Sequence, residues 1–312
     1  VLEDSWAEFF YAYLMEMGTG KSKVAIDNIA VLYECNKINA VLIIAPKGVY
    51  DNWILGEIPN HLPDRIARIV CRWTPSSSKK FAEELNHITL HKTNDLKFFV
   101  MNVEAFSTSK GTKAAYEFLV KNPDNMVVVD ESTTIKNRKA ARTKNIMELR
   151  NVSLYRRILT GSPVTKSPMD LFSQCFFLSP RALGFNSYFA FQGRYAMVQS
   201  RTMGNRSFQE IVGYRRLDEL NEKLLAFSNR ILKEECLDLP EKVYTRRQIE
   251  LTDEQLTVYT QMKKLALAQL ENGELATTES VLTQIMRLQQ ICCGFFQPDD
   301  GEIQPIPNNR LS

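Results

Sequence analysis

Two hydrophobic periods organise the chain. Apolar runs of strand length occupy 9–14 and 41–45, and the apolar-rich stretches 66–70, 98–103, 126–130 and 157–159 are further strand candidates. Runs apolar at successive positions are what parallel strands covered on both faces require. Between them, 53–62, 77–90, 114–121 and 140–149 read as helices or mixed connections, and Ala25, Ile29 and Leu32 recur at helical spacing with Val24 and Val31 beside them. Strands alternating with helices predict an α/β domain with a mostly parallel sheet over 1–180. Beyond it, 196–203 and 208–212 flank Gly204-Asn205 and predict a β-hairpin, followed by a helix with Leu217, Leu220, Leu224 and Leu225 on one face. A loop at 239–242 leads into alternation through 243–251. Thr252-Asp253-Glu254-Gln255 has the form of a capping box opening a helix to about 270, and a second helix spans about 280–292. The expected division is 1–180, a smaller α-rich accessory region at 181–240 that contains the hairpin, and a helical segment at 241–312.

Composition changes this picture little. With 44% hydrophobic and 24% charged residues in 312, the chain is of ordinary globular type. No apolar stretch approaches the roughly 20 residues of a bilayer span, and no signal peptide is visible. A net charge of +3 does not by itself argue for nucleic acid, so any basic surface is local. Six cysteines without C-x-x-C spacing read as reduced thiols, which implies a cytoplasmic protein (host cytoplasm if viral). His87 and His91 stand at i, i+4 but lack a nearby acid in a metalloprotease pattern, and they are not read as a zinc site. The chain begins at Val1 rather than methionine and reads as a piece of something longer.

The chemistry concentrates in a few turns. Met17-Gly18-Thr19-Gly20-Lys21-Ser22 lies between an apolar run and a helix, the context a phosphate-binding loop requires; a glycine-rich surface turn is the alternative. Gly18, Thr19 and Gly20 turn backbone N–H groups around an anion, the helix start adds positive charge, Lys21 reaches the β/γ-phosphates and Ser22 offers an oxygen to Mg²⁺. Met15 stands where the full pattern has its first glycine. At the carboxyl end of 126–130, Asp130 suits Mg²⁺ and Glu131 suits a water-orienting base; an acidic pair capping the next helix is the alternative. Thr160 and Ser162, in Leu159-Thr160-Gly161-Ser162-Pro163, are short hydroxyls able to couple a nucleotide site to another surface. From 181 to 216, six arginines and seven aromatics accompany one acid, Glu210, which is either a nucleic-acid surface or a small packed subdomain.

Taken in order, these blocks resemble the Swi/Snf-type branch of superfamily-two helicases and translocases. Residues 17–22 resemble that family's first motif, and Ile44-Ala45-Pro46-Lys47-Gly48-Val49 with Trp53 resembles the next, which touches nucleic-acid backbone. Asp130-Glu131 with Lys136-Asn137 resembles the Walker B box, and 159–163 the third motif, followed by family-like blocks at 171–180, 239–242 and 288–292. The compactness is most similar to phage and bacterial members. The resemblance implies a RecA-like P-loop lobe of an ATP-driven DNA translocase or helicase, using ATP and Mg²⁺, with DNA as partner and no membrane; a nucleotide-switched nucleic-acid-binding or regulatory module without translocation is the alternative. It implies Thr133 as a further coupling residue and, with the residues read above, Lys47, Asn102, Lys136, Arg201 and Arg206 as backbone-contact candidates. Two departures matter: Ser132-Thr133 replace the usual pair after the acids, and the adenine-reading glutamine falls upstream of Val1. Nothing after Phe296 resembles a second RecA-like lobe, so 241–312 is expected to lead toward one in the parent chain. Such a lobe carries the arginine fingers, so nucleotide binding with little turnover is expected of this chain alone.

Overall fold

The computed structural model describes residues 1–76, 78–203, 206–236, 238, 243–271, 278–297 and 301–309. The chain divides into two compact units, Val1–Leu239 and Pro240–Ser312.

The apolar runs of the first unit become strands β1 (Phe10–Met15), β2 (Ala40–Ala45), β3 (Arg68–Arg72), β4 (Leu96–Asn102), β5 (Asn125–Asp130) and β6 (Tyr155–Leu159). With a late strand, Ser228–Ile231, they form one seven-stranded sheet in which every neighbour pair is parallel. The order is β3-β4-β2-β5-β6-β1 and then Ser228–Ile231 at the edge. The period of two explains why the runs had to be apolar throughout. Leu42, Ile44, Val127 and Val129 enter one core, while Val41, Ile43, Met126 and Val128 enter a second on the opposite face. Helix α1 (Lys21–Glu34) covers the second core with Ala25, Ile26 and Ile29. Helix α2 (Lys79–Leu90) and helix α3 (Ser109–Lys121) cover the first, the latter with Ala115, Phe118 and Leu119.

The expected strand at 66–70 begins two residues later, because Ile66 donates its N–H to Pro63 and closes a turn. The expected helix at 53–62 is a composite in which Tyr50–Asn52 and Ile58–His61 flank a widened π-turn, Trp53–Glu57. Such turns recur where a helix must aim a side chain.

Arg157, fully buried on β6, is a charged residue inside a predicted apolar run. Its Nε donates to Asn28 Oδ1 at 2.9 Å, and Nη2 donates to the carbonyls of Ser5 and Glu8 at 3.0 and 2.8 Å. A single guanidinium thus ties the amino-terminal segment to α1 and the sheet, while burial pushes its pKa below the usual arginine range. Arg157→Leu removes the donor from Asn28 Oδ1 and from the Glu8 carbonyl, while the Ser5 carbonyl keeps the Glu8 N–H at 3.3 Å. It is expected to destabilise the unit by about 2–4 kcal/mol, read as a lowered denaturation midpoint.

After α4 (Ala141–Glu148) and α5 (Asp170–Leu178), helix α6 (Tyr188–Tyr195) leads into the hairpin β7 (Ala196–Met203) and β8 (Arg206–Tyr214), in register Arg201↔Phe208. The turn at Gly204-Asn205 lies outside the described residues. Several of the aromatics here form core. Phe191 and Tyr195 are fully buried, and Phe185 packs edge-on against both with ring centroids 5.7 and 5.5 Å apart. The arginines are engaged as well: Arg194 with Glu219, Arg201 with Glu210, and Arg215 with the carbonyls of Gly193 and Arg194. Phe189 stays 70% exposed, with the Arg138 guanidinium 5.2 Å from its ring centroid, and Arg181 and Arg216 are exposed, so the stretch combines a packed core with an arginine-bearing surface. Helix α7 (Leu217–Leu225) then returns the chain to Ser228–Ile231, hereafter β9.

In the second unit, α8 (Asp253–Glu271) opens on the expected capping box. Gln255 N–H donates to Thr252 Oγ1 at 3.2 Å, and Thr252 N–H donates to Gln255 Oε1 at 3.1 Å. Gln255 also donates to Ile291 in α9 (Thr278–Cys292), at 2.8 Å. The alternating residues 243–251 form no strand among the described residues. Alternation needs a neighbouring strand for its N–H and C=O groups, and none of the described strands pairs with them. The block at 239–242 lies outside the described residues, except that its sequence can be read.

Candidate nucleotide site

The site forms where β1, β5 and β6 end. The loop after β1 passes through Gly18 and Gly20, both at φ 85°, a left-handed conformation that suits glycine. A Cβ built on either would meet nothing within 4 Å, so backbone conformation rather than crowding sets the requirement, and the space before the loop is open. Thr19 tightens the turn by donating its N–H and hydroxyl to the Glu16 carbonyl, at 3.3 and 2.7 Å. Gly20 is the N-cap of α1 and no side chain caps that end. The first N–H groups of a helix have no partner within it, so this end presents donors and partial positive charge. Lys21 and Ser22 stand on that first turn, with Lys21 only 9% exposed.

Across the site, β5 delivers Asp130, 5% exposed, and the chain then kinks. Glu131 adopts φ 45°, a left-handed conformation unusual for a residue with a Cβ. Lys21 Nζ lies 3.9 Å from Glu131 Oε1. Asp130 Oδ2 accepts the indole N–H of Trp53 at 2.9 Å, and Oδ1 accepts the Glu131 N–H at 2.9 Å. Thr160 donates its hydroxyl to Glu131 Oε2 at 3.4 Å and accepts the Ser162 N–H at 3.2 Å. Loop, acids and third turn therefore meet as the sequence suggested.

Electrostatics follow from this burial. Desolvation pushes the Asp130 carboxyl above its ordinary range, opposed by the Trp53 bond, the Glu131 N–H and the Lys21 charge. Glu131 is raised by desolvation first and then by the Asp130 charge, against Lys21 and the Thr160 bond. Each Asp130 oxygen accepts one protein hydrogen bond and keeps lone pairs free. A buried carboxylate facing an ammonium at a helix start, with the Ser22 hydroxyl on that same first turn, is a donor set that fits Mg²⁺ with a polyphosphate. Among the described residues no cluster of three or more His, Cys, Asp or Glu could hold a metal.

Two residues take a place at the site that sequence reading did not assign them. Trp53 is 1% exposed and points inward to Asp130, although its block suggested a nucleic-acid contact. A buried indole N–H needs an acceptor, which was the available signal. Gln174, buried on α5, accepts the Ser132 hydroxyl at 2.7 Å and donates to the Pro163 carbonyl at 2.8 Å. Thr133 makes no side-chain hydrogen bond among the described residues; the contacts reaching 160–163 come from Glu131 and from Ser132 through Gln174. Of the backbone-contact candidates, Lys47 is exposed just past the end of β2. Asn102 donates to Glu104 at 2.9 Å, Lys136 donates to Thr165, and Arg201 pairs with Glu210 across the hairpin. The Arg206 side chain lies outside the described residues. His87 and His91 stack on each other, with ring centroids 4.7 Å apart.

The family model described as SNF2-related domain matches residues 14–296. The chain belongs to that family. It is 26% identical to the chromatin structure-remodeling complex subunit snf21 of Schizosaccharomyces pombe, over 92% of this chain and 23% of the relative. It is 31% identical to the TATA-binding protein-associated factor MOT1 of Saccharomyces cerevisiae, over 56% of this chain and 10% of the relative. The SNF2-family chain therefore spans less than a quarter of the length of these two curated relatives. The Sulfolobus solfataricus SWI2/SNF2 ATPase core in complex with dsDNA shares the fold at a TM-score of 0.53 and 22% identity, covering 91% of this chain and 54% of that one. Among the described residues, no helix is long and apolar enough to cross a membrane.

Proposed function

We propose that this SNF2-family chain is the ATP-binding lobe of a DNA-dependent ATPase of translocase or helicase type. The observation that carries this reading is the approach of Lys21 to Glu131 at 3.9 Å beside the buried, doubly bonded Asp130. Gly18, Thr19 and Gly20 shape the phosphate loop, and Lys21 neutralises the terminal phosphates. Ser22 and Asp130 hold Mg²⁺, which when bound offsets phosphate charge. Glu131, with its pKa raised toward the working range, orients the attacking water and takes its proton, while Thr160 steadies the carboxylate. Thr160, Ser162 and Thr133 are assigned to coupling between this site and a DNA surface. Ser132 and Gln174 join them, because their hydrogen bonds run from the Walker B turn to 163. Exposed Lys47 and, more weakly, Asn102 and Lys136 are the backbone contacts at the same sheet edge; relatives described as DNA-acting and a neighbour solved with dsDNA support that partner.

The motor reading requires a second RecA-like lobe that closes on the nucleotide, with 181–240 as accessory region and 241–312 as the approach to that lobe. An arginine finger contributes about 10³–10⁵-fold to rate. The test is an ATPase assay on this chain with and without duplex DNA: tight nucleotide binding with near-background turnover is expected. Robust DNA-stimulated turnover would place the finger within these 312 residues.

Trp53→Phe keeps most of the ring volume and removes the donor to Asp130. Partners that orient a metal ligand are worth about tenfold or more in metal affinity. The Mg²⁺ concentration that half-saturates nucleotide binding is therefore expected to rise about tenfold, with binding in EDTA unchanged. An unchanged Mg²⁺ requirement would remove Trp53 from the site.

A further inference from the structure

The opposite edge of the sheet holds a second constellation. There, at the amino-terminal ends of β2, β4 and β5, a cavity of about 470 Å³ opens. Strands of six residues at 3.3 Å each put it about 20 Å from the nucleotide site. Its lining includes His91, Lys92, Lys97 and Lys121 and contains no Asp or Glu. Asp95 and Asp124, the acids nearest in sequence, do not line it.

Lys97 is the unusual member. Its residue is 4% exposed, yet its ammonium donates to a neutral acceptor, Asn122 Oδ1, at 2.8 Å. Among the described residues no carboxylate forms an ion pair with it. A buried ammonium normally finds an anion, since burying charge without one is costly. Burial lowers the Lys97 pKa, and no neighbouring charge offsets the shift.

A plainer explanation is that these cations serve helix ends. Both α2 and α3 terminate at the cavity, and each carboxyl end carries about −0.5 of a charge. Together the two ends supply about −1, against three lysines, which leaves an excess of about +2. That excess is the charge of a phosphate dianion rather than of a carboxylate. The hydroxyls of Thr89 and Thr93, which also line the cavity, add donors that a tetrahedral oxyanion can accept from.

We propose that this cavity binds a phosphate group, with the Lys97 ammonium as its buried anchor and Lys92 and Lys121 at its mouth. The volume admits a phosphorylated small molecule or a pair of linked phosphates. The site is independent of the nucleotide reading, and the test keeps the two apart. Inorganic pyrophosphate is titrated calorimetrically, without Mg²⁺, into the full chain carrying Lys21→Ala, which weakens the phosphate loop about 100-fold. Binding is expected to persist there and to weaken at least about tenfold when Lys97→Met is added, as loss of a charge-assisted hydrogen bond implies. The exposed pair Lys92→Gln/Lys121→Gln is expected to weaken binding by a similar factor without touching the core, and it decides the matter should Lys97→Met fail to fold. Absence of binding in the Lys21→Ala chain would overturn the proposal, as would unchanged affinity in the folded Lys97→Met chain or, failing that, in the lysine pair. A competition arm assigns the source: displacement of pyrophosphate by duplex DNA identifies backbone phosphates, and persistence identifies a free phosphate compound.

Discussion

Lys21→Ala is expected to weaken binding of Mg-ATP by about 100-fold, measured by titration with a fluorescent nucleotide. Lys21 is 9% exposed, and its ammonium lies 3.9 Å from Glu131. A triphosphate presents it with more negative charge in the same place, so the lysine exchanges one weak ion pair for several short charge-assisted bonds. Hydrogen bonds to charged groups contribute about 1.5–3 kcal/mol each, and losing roughly 2.7 kcal/mol corresponds to that factor. The fold itself should be indifferent or slightly more stable, since the variant removes a nearly buried cation whose nearest acid is only at ion-pair distance. A variant that binds Mg-ATP as well as the parent would mean that the glycine turn is a surface feature and not a phosphate loop.

Glu131→Gln is expected to leave Mg-ATP affinity within a few-fold of the parent while lowering turnover about 10²–10⁴-fold. The readout requires the activity of the parent chain, supplied where needed by a complementing second lobe. The amide keeps the shape and can still accept from Thr160, but it cannot take a proton from water. The sign of the pH effect follows from the environment. Desolvation and the Asp130 charge raise the Glu131 pKa in the fold above its value in the unfolded chain. Between those two values the folded state holds more protons, so stability falls as pH rises through that window and stays lower above it. Removing the charge by Glu131→Gln should therefore raise the melting temperature at neutral pH and leave it unchanged in acid. Loss of nucleotide affinity equal to the loss of turnover would instead place Glu131 among binding groups.

Much of this was legible in the chain because its strands are buried on both faces. Runs such as Val41-Leu42-Ile43-Ile44-Ala45 admit few other readings, and the sharp change from such a run to Asp130-Glu131 marks a strand end facing solvent. What failed was whatever depended on a distant partner. Ser228-Asn229-Arg230-Ile231 has no strand pattern of its own; β1 makes it a strand by offering a free edge. Residues 243–251 carry the pattern and lack the edge. Arginines interleaved with aromatics could be surface or core, and only packing decides: Phe191 and Tyr195 close a small hydrophobic cluster, and Arg194 and Arg201 meet acids brought near by the fold. Arg157 looks like an interruption in a strand until Ser5 and Glu8, about 150 positions earlier in the chain, supply its carbonyl partners.

The inward turn of Trp53 shows the same limit at the site. The sequence placed it near a nucleic-acid contact, and a π-turn at Trp53–Glu57 rotates it instead onto Asp130. The indole that bonds Asp130 stands six positions after exposed Lys47, just past the end of β2.

The most direct test is a crystal structure of this chain with a non-hydrolysable ATP analogue and Mn²⁺, whose anomalous signal locates the metal. The account expects the metal between Ser22 and Asp130, with the terminal phosphate between Lys21 and Glu131. A nucleotide bound elsewhere, or a metal that touches neither Ser22 nor Asp130, would contradict it.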